Sequence, residues 1–434
     1  MGEVFSTLYL VIKMRSTLWQ NTELNSYDSL KEDISTDVLV IGGGICGILC
    51  AYRLSKQNLK VVLVEKGELA CSRTNKTTAV ITALQDLNYF DLIRKKGRKA
   101  ATLYLEACLE AIEEYKRLAQ EFEFDFELVP SYKYFKDNPY MLKKEYDAIL
   151  SLGYDAKIED EYAIKFSNQA QMNPLKLIQA LSPYFSIYEN TEVVKLKNSM
   201  AYTRDHTIQA KHIIVASGYP FLKLQGLYPL KLTQKKSYVL VIEDVKQVQS
   251  FNSIGSIPGN LYFRTYQNHL IVGGNDQKTG GYKDGFYYLL RFIMKNYPSH
   301  RISHQWVNQD CVSLDGLPYI GPYKGNALVA TGFNLWGMTG AMLSSLILAD
   351  YISGRKNKYA KLFHPKRWSP AFPLLKNIGV AGINLLKPKK RCTHLGCALY
   401  YNKEEQVYEC PCHGTKYDNE GNILFNPANT SKDL

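Results

Sequence analysis

Between two short apolar runs, Asp37-Val-Leu-Val-Ile41 and Lys60-Val-Val-Leu-Val-Glu65, the chain reads Gly42-Gly43-Gly44-Ile45-Cys46-Gly47. Short β-branched runs of this kind read as buried strands, and Ile45 to Leu54 has helical character. Strand, glycine turn, helix and strand together form a βαβ unit at the start of an α/β domain. Gly42, Gly44 and Gly47 fill the G-x-G-x-x-G positions. Without Cβ atoms such a turn lets a pyrophosphate approach, and the helix N-terminus offers free N–H groups and partial positive charge. Glu65, at the end of the second strand, is placed to accept hydrogen bonds from both ribose hydroxyls. The motif alone is weak, but its position makes a dinucleotide the expected ligand. A tight strand–helix turn in an unrelated α/β fold is the alternative, and the motif does not separate FAD from NAD.

The rest of the first three quarters fits a mixed fold. Residues 98–122 have the pattern of a long amphipathic helix. Residues 237–243, 260–265 and 269–274 alternate or run apolar between turn signals, as an antiparallel sheet would. Ile213-Ile-Val-Ala-Ser-Gly218 is a further buried strand, preceded by Val193-Val194. Ala327-Leu-Val-Ala-Thr331 is another, followed by the glycine-spaced turn from Gly332 to Gly340 and an apolar helix to Ile352. A second G-x-G-x-x-G is not found, so no separate NAD(P)H domain is expected.

These segments, with Asp315-Gly-Leu-Pro-Tyr-Ile-Gly-Pro322 and Ala330-Thr-Gly-Phe-Asn-Leu-Trp-Gly-Met-Thr-Gly340, resemble the FAD-dependent D-amino-acid oxidase and glycine oxidase family. The resemblance covers residues 37–355 and implies FAD as cofactor. It implies that Val193 lies against the adenine, and that Ser217 and Gly218 end the strand beside the dinucleotide. Cys71-Ser72 and Thr77-Thr78-Ala79 would pass the ring and pyrophosphate. Gly332, Phe333, Gly337, Met338 and Thr339 would close over the flavin, with a helix N-terminus stabilising negative charge on it. Arg264, within Tyr262-Phe-Arg264-Thr-Tyr266, is the candidate clamp for a substrate carboxylate; a surface arginine on a sheet is the alternative. No other catalytic residue is identified.

The end of the chain carries different chemistry. Nine cysteines are present; five are dispersed and four, Cys392, Cys397, Cys410 and Cys412, lie within 21 residues. With His394 and His413 they form C-x-H, a 15-residue spacer, and C-x-x-H. A Rieske [2Fe–2S] centre needs two thiolates on one iron and two imidazoles on the other. Cys392, His394, Cys410 and His413 supply that set, one Cys and one His from each loop. A tetrahedral zinc site is the alternative, although zinc fingers usually pair Cys with Cys and His with His. Cys392-Thr-His394-Leu-Gly-Cys397 and Cys410-Pro-Cys412-His413-Gly414 resemble the bc-complex type of Rieske protein. That resemblance implies a disulfide between Cys397 and Cys412. It also implies that the hydroxyls of Thr415 and Tyr417 donate to the cluster's sulfur atoms and raise its potential. Asn426-Pro-Ala428 resembles the closing turn. The segment before Cys392 does not read as the several strands a full Rieske domain places there, so a shortened domain is expected, and loss of its cluster is an alternative.

The expected architecture is an α/β (α+β) FAD-binding Rossmann-like domain with an inserted antiparallel-sheet substrate domain, plus a small all-β Rieske cluster-binding domain. The boundaries are 1–36 for an N-terminal extension, 37–355 for the oxidoreductase, 356–387 for a linker and 388–434 for the Rieske domain. Residues 1–13 are given no structural role, and Met14 is an alternative start. The formal charge is +12. Its lysines and arginines read as scattered, with Lys387-Pro-Lys-Lys-Arg391 as linker, and no nucleic-acid recognition module is found. No segment reaches the roughly 18 apolar residues of a membrane span. Dispersed cysteines without a signal peptide suggest the cytoplasm. The resemblances imply an oxidoreductase that oxidises a small amine or amino-acid-like substrate and passes electrons from FAD to the cluster and on to an unknown acceptor. The alternatives are an O₂-using amine oxidase with a structural tail, and a non-enzymatic redox sensor or electron carrier.

Overall fold

The computed structural model describes residues 16–135, 138–221, 225–245, 252–254, 260–281, 285–367, 371–403, 405–425 and 427–428. Among these, the strands form three sheets of eight, nine and four strands. The first is built on Ile34–Ile41, flanked by Val61–Val64 on one side and Thr207–Gly218 on the other, all parallel. Ala327–Thr331 continues it in parallel, and Tyr319–Lys324 closes that edge antiparallel. Strands buried on both faces need continuous apolar runs, and Val38, Leu39 and Val40 are fully buried as the sequence pattern requires. The helices Ile45–Ser55, Arg98–Glu121 and Gly337–Ile352 pack together over this sheet in the main core.

The nine-stranded sheet carries the long antiparallel pairing of Leu232–Ile242 with His269–Lys278 and Ile302–Ser313. Its far half is made by Glu127–Tyr134 and Ala163–Gln171. The four-stranded sheet is a meander of Tyr400–Asn402, Val407–Glu409, Lys416–Tyr417 and Ile423–Phe425. Before Cys392 an isolated bridge from Arg391 to Ala398 is the sole β pairing among the described residues of that region.

Two expected boundaries are corrected. The extension 1–36 is not separate from the fold where it is described. Trp19 is fully buried, its indole N–H donates to the Thr77 carbonyl at 2.7 Å, and its ring meets Tyr266 edge-on at 5.1 Å. Strand pairing begins at Ile34, ahead of the expected boundary. Residues 1–15, including Met14, lie outside the described residues, as does Asn426. The linker 356–387 is also not a plain linker, because Ala371–Leu386 is a sixteen-residue helix. Its apolar residues outweighed its prolines, which all precede or enter its first turn.

Candidate functional site: two adjoining cofactor pockets

Where the parallel strands of the first sheet end, the chain walls an open cleft with about 1200 Å³ of free space, solvent at its mouth included. Gly42, Gly44, Glu65, Thr77, Val193, Ser217, Gly218, Phe333, Gly337 and Met338 all line it. A cleft at the carboxyl ends of such strands is where dinucleotides bind. Gly42 has φ +119°, and a Cβ there would stand 2.7 Å from the Ala216 carbonyl oxygen. A Cβ on Gly47 would meet the Gly42 carbonyl at 1.9 Å, so Gly47 serves helix–strand packing and does not line the cleft. The Glu65 carboxylate accepts from the Gly43 and Gly67 amides at 2.6 and 3.2 Å, which aims it across the turn. Three further expected residues stand behind the wall. The Thr78 carbonyl accepts from Arg264, Thr339 is buried with its hydroxyl 3.4 Å from the Thr82 carbonyl, and Gly332 turns the chain at φ +71°.

Arg264 does not present an open clamp. It is fully buried in the sheet, its guanidinium bound to Gln171 Oε1 at 2.9 Å, the Met172 carbonyl at 2.8 Å and the Thr78 carbonyl. Burial pulls its pKa down to about 9. Nor is it the surface arginine of the alternative reading: buried, it ties the sheet to the Thr77–Ala79 loop.

Several polar residues escaped the sequence reading, and Arg73 and Asp310 among them line the cleft. Arg73 reaches Gln309 O at 3.1 Å and Ser217 O at 3.5 Å, with Asp310 at 3.9 Å. Asp310 accepts from the Leu335 amide at 3.0 Å, which fixes the turn before Gly337. Its carboxyl is raised by burial and drawn back by Arg73. Asp276 lies on the second sheet, where Ser237 and Tyr262 share a hydrogen bond of 2.9 Å. Burial pushes its carboxyl up to about 6. The Asp86 charge bears on Asp276, and Asp86 accepts from Trp336 Nε1 at 3.3 Å. Single acidic residues within strands carry no motif, so no sequence signal marked them.

The second pocket holds all six Cys and His residues of the C-terminal motif. Cys392, Cys397, Cys410 and Cys412 share one buried cluster with Tyr417. The sulfur atoms of Cys397, Cys410 and Cys412 lie within 4.8 Å of one another. His394 and His413 stand edge-to-face with ring centroids 4.9 Å apart. Tyr417 Oη lies 3.5 Å from Cys392 Sγ and 3.0 Å from the Thr393 amide that donates to it. Thr415 is fully buried and its hydroxyl accepts from the Ala428 amide. Cys397 and Cys412, the pair expected to form a disulfide, are close neighbours in this cluster.

The donor set fits an iron–sulfur group. His413 Nε2 lies 2.8 Å from the Pro229 carbonyl oxygen, which can only accept, so Nε2 carries the hydrogen. Nδ1 is thereby left as the lone-pair nitrogen, and it is buried with no hydrogen-bond partner. Burial pulls the His413 pKa down to about 4, which keeps the imidazole neutral.

This pocket does not stand apart from the first. The His413 carbonyl accepts from Gln234 Nε2 at 2.5 Å and the Gly414 carbonyl from Gln309 Nε2 at 2.6 Å. Lys236, fully buried in the nine-stranded sheet, bridges Glu405 at 3.1 Å and Glu409 at 2.9 Å. Burial alone would lower the Lys236 pKa, but the two carboxylates outweigh it and hold the amine charged. Glu405 is correspondingly drawn down to about 2, mostly by Lys416 and Lys236 against burial. Arg73, on the wall of the first cleft, stacks its guanidinium 4.4 Å from the Phe425 ring. Tyr219, directly after Ser217 and Gly218, meets the His394 ring at 5.9 Å and the His413 ring at 6.0 Å.

A parallel-sheet dinucleotide cleft joined to a two-Cys, two-His pocket defines a flavoprotein fused to an iron–sulfur module. Residues 37–351 match the family of FAD dependent oxidoreductases named DAO, and residues 385–432 match the Rieske [2Fe-2S] domain. The chain belongs to the DAO family of FAD dependent oxidoreductases and ends in a Rieske domain; FAD and a [2Fe–2S] cluster are its cofactors. It is 30% identical to the Rieske 2Fe-2S iron-sulfur protein YhfW of Bacillus subtilis, over 95% of this chain and 96% of that one. Its C-terminal part is 38% identical to the cytochrome b6-f complex iron-sulfur subunit of Fritillaria agrestis, over 14% of this chain and 26% of the other. Glycine oxidase from Geobacillus kaustophilus shares the fold with a TM-score of 0.67 and 17% identity, over 77% of this chain and all of that one. Among the described residues no helix is long and apolar enough to cross a membrane.

Proposed function

We propose that this oxidoreductase acts on the CH–NH group of a small amine or amino-acid-like substrate and that the electrons leave through the Rieske half. Gly42, Gly44, Glu65 and the Gly337 helix end would hold FAD, which takes an electron pair from such a donor. Cys392, His394, Cys410 and His413 would hold the cluster, which passes electrons singly. The amino-acid preference rests on the likeness to a fold that includes a glycine oxidase.

The observation that carries the reading is Tyr219. It follows the two cleft residues Ser217 and Gly218 in sequence, and its ring touches both imidazoles. It is fully buried, and its hydroxyl makes no hydrogen bond. The residue therefore acts as packing between the pockets, excluding water and setting their separation. A freely tethered tail would need no such contact. Asp310 with Arg73 fixes the turn that closes the cleft, and the buried Asp276 carboxyl is the candidate proton acceptor on the substrate side.

The test is anaerobic mixing of the holoprotein with glycine, N-methylglycine, proline and a panel of simple amines. Flavin bleaching followed by reduction of the Rieske absorption is expected for one class. Tyr219→Leu should slow the second phase and leave the first unchanged, while Tyr219→Phe, which removes only an unbonded hydroxyl, should behave as the parent. Flavin bleaching without cluster reduction would reject the electron route. No bleaching by any amine would reject the substrate class.

A further inference from the structure

A surface helix ordinarily turns its apolar face inward and its polar face to water. The helix Ala371–Leu386 does the reverse. Asn377 and Asn384 face the protein: Asn377 Nδ2 donates to the Leu230 carbonyl at 3.1 Å, and Asn384 Oδ1 accepts from the Tyr400 hydroxyl at 3.0 Å. The outward face carries Leu375, Ile378, Ile383, Leu385 and Leu386, of which Leu375, Ile383 and Leu386 are 64%, 60% and 85% exposed. Gly379 and Gly382 lie on the same face, and Lys376 is the helix's one charged residue.

The charge around this helix is equally one-sided. Twelve of the 53 lysines and arginines lie between Tyr351 and Lys403, a stretch with no Asp or Glu. The other 41 match the 41 acidic residues, so the whole +12 formal charge resides in this segment. It is therefore not scattered, as the sequence pattern first suggests. Part of it is spent internally, on Arg367 with Asp315 and Lys358 with Glu106. Lys376, Lys389 and Lys390 stay exposed along and just beyond the helix.

We propose that this helix lies in the surface of an anionic lipid bilayer, its aliphatic face among the acyl chains and its lysines at the headgroups. Apolar residues on one face with flanking lysines are what an in-plane helix needs. Each lysine near an anionic surface adds attraction that salt screens. Sixteen residues make a helix of about 24 Å, suited to lying along a bilayer and too short to cross one. A protein partner would match the apolar face but leaves the charge concentration unexplained.

The attachment has a consequence for the cluster. The Asn384 carbonyl accepts from the Ala398 amide at 3.0 Å, and the Arg391 guanidinium reaches the carbonyls of Leu385 and Gly396 at 2.7 and 3.1 Å. Ala381 packs against the cysteine cluster itself. The helix end and the first ligand loop thus move as one body, and a bilayer-bound helix holds the Rieske pocket at the membrane surface.

Flotation of the full-length holoprotein with vesicles tests this. Vesicles of phosphatidylcholine plus phosphatidylglycerol should carry the protein up the gradient, phosphatidylcholine alone should carry much less, and added salt should release it. Ile383→Asp with Leu386→Asp should cut flotation at least about tenfold, since two acidic side chains replace exposed apolar ones that would enter the bilayer. Lys389→Glu with Lys390→Glu, which leaves the apolar face whole, should abolish the preference for phosphatidylglycerol. Unchanged flavin and Rieske spectra certify that these variants are folded. Absence of flotation, or equal flotation by the Asp variant, overturns the proposal. So does a parent dimer that the Asp variant splits without any vesicle binding, since a second copy would then cover the face.

Discussion

The two cofactor pockets are built on opposite plans. The flavin cleft is assembled from backbone: glycines at 42, 44 and 218, and the starts of helices at Ile45 and Gly337. Its walls come from segments as far apart as Ile41 and Met338. The Rieske pocket is assembled from side chains, six of them between Cys392 and His413. Yet the local pocket is the one that leans on its host. Its second loop is received by Gln234, Gln309 and Pro229, and its sheet is pinned by Lys236. The comparison teaches that ligand spacing makes a site, but a small module of four short strands borrows rigidity from a neighbour's sheet.

The sharpest way to break this comparison is to empty one pocket at a time. Cys410→Ser should abolish the cluster, seen as loss of iron and acid-labile sulfide, while flavin content stays near that of the parent. Gly44→Ala should do the converse. Gly44 has an ordinary φ of −80°, so a Cβ is tolerated by the backbone but projects beside Thr74 Oγ1 at 3.1 Å on the cleft wall. Flavin affinity should fall about tenfold or more, because the backbone then stands off the pyrophosphate. If Cys410→Ser also sheds flavin, the pockets are not separable in the way described.

A smaller effect tests the borrowed rigidity. Lys236→Met leaves Glu405 and Glu409 buried beside Lys416 alone. Removing one partner of a buried ion group costs about 3–5 kcal/mol. Thermal unfolding followed at the Rieske absorption should shift down further than unfolding followed at the flavin. Equal shifts at both wavelengths would mean that the two modules melt as one unit, which sharpens the comparison in the other direction.

The smallest expected effect lies inside the cluster pocket. Tyr417→Phe removes the hydroxyl 3.5 Å from Cys392 Sγ, and with it a donor that favours the reduced form. The cluster potential should fall while its visible spectrum keeps its shape. An unchanged redox titration would show that the hydroxyl hydrogen goes to Thr393 Oγ1, 2.9 Å away, and not to the cluster.

Much of this was legible from local pattern. The strand at 327–331 and the long helix from residue 98 stand where their apolar periodicity put them. Gly42 and Gly44 reach the cleft wall because a G-x-G turn between strand and helix has one backbone solution. The six Cys and His residues converge because two tight loops joined by a short meander have nowhere else to go. Arg264 was misjudged because a strand's alternation says which residues share a face and not which face is covered; here Gln171, Met172 and Thr78 cover it. Asp276 and Asp310 were missed because a single carboxylate gains its meaning from burial.

What the sequence determined by itself is the chemistry of each half: a dinucleotide turn, and two Cys–His loops spaced for an iron–sulfur centre. Those are short-range features, set by steric freedom at a few glycines and by ligand identity. What only the tertiary structure decided is how the halves meet. That Tyr219 touches both imidazoles, that Lys236 finds Glu409, and that Ala371–Leu386 turns its leucines outward all depend on packing between residues far apart in the chain. Such contacts arise from the burial of whole surfaces, and no spacing of residue types along the chain encodes them separately.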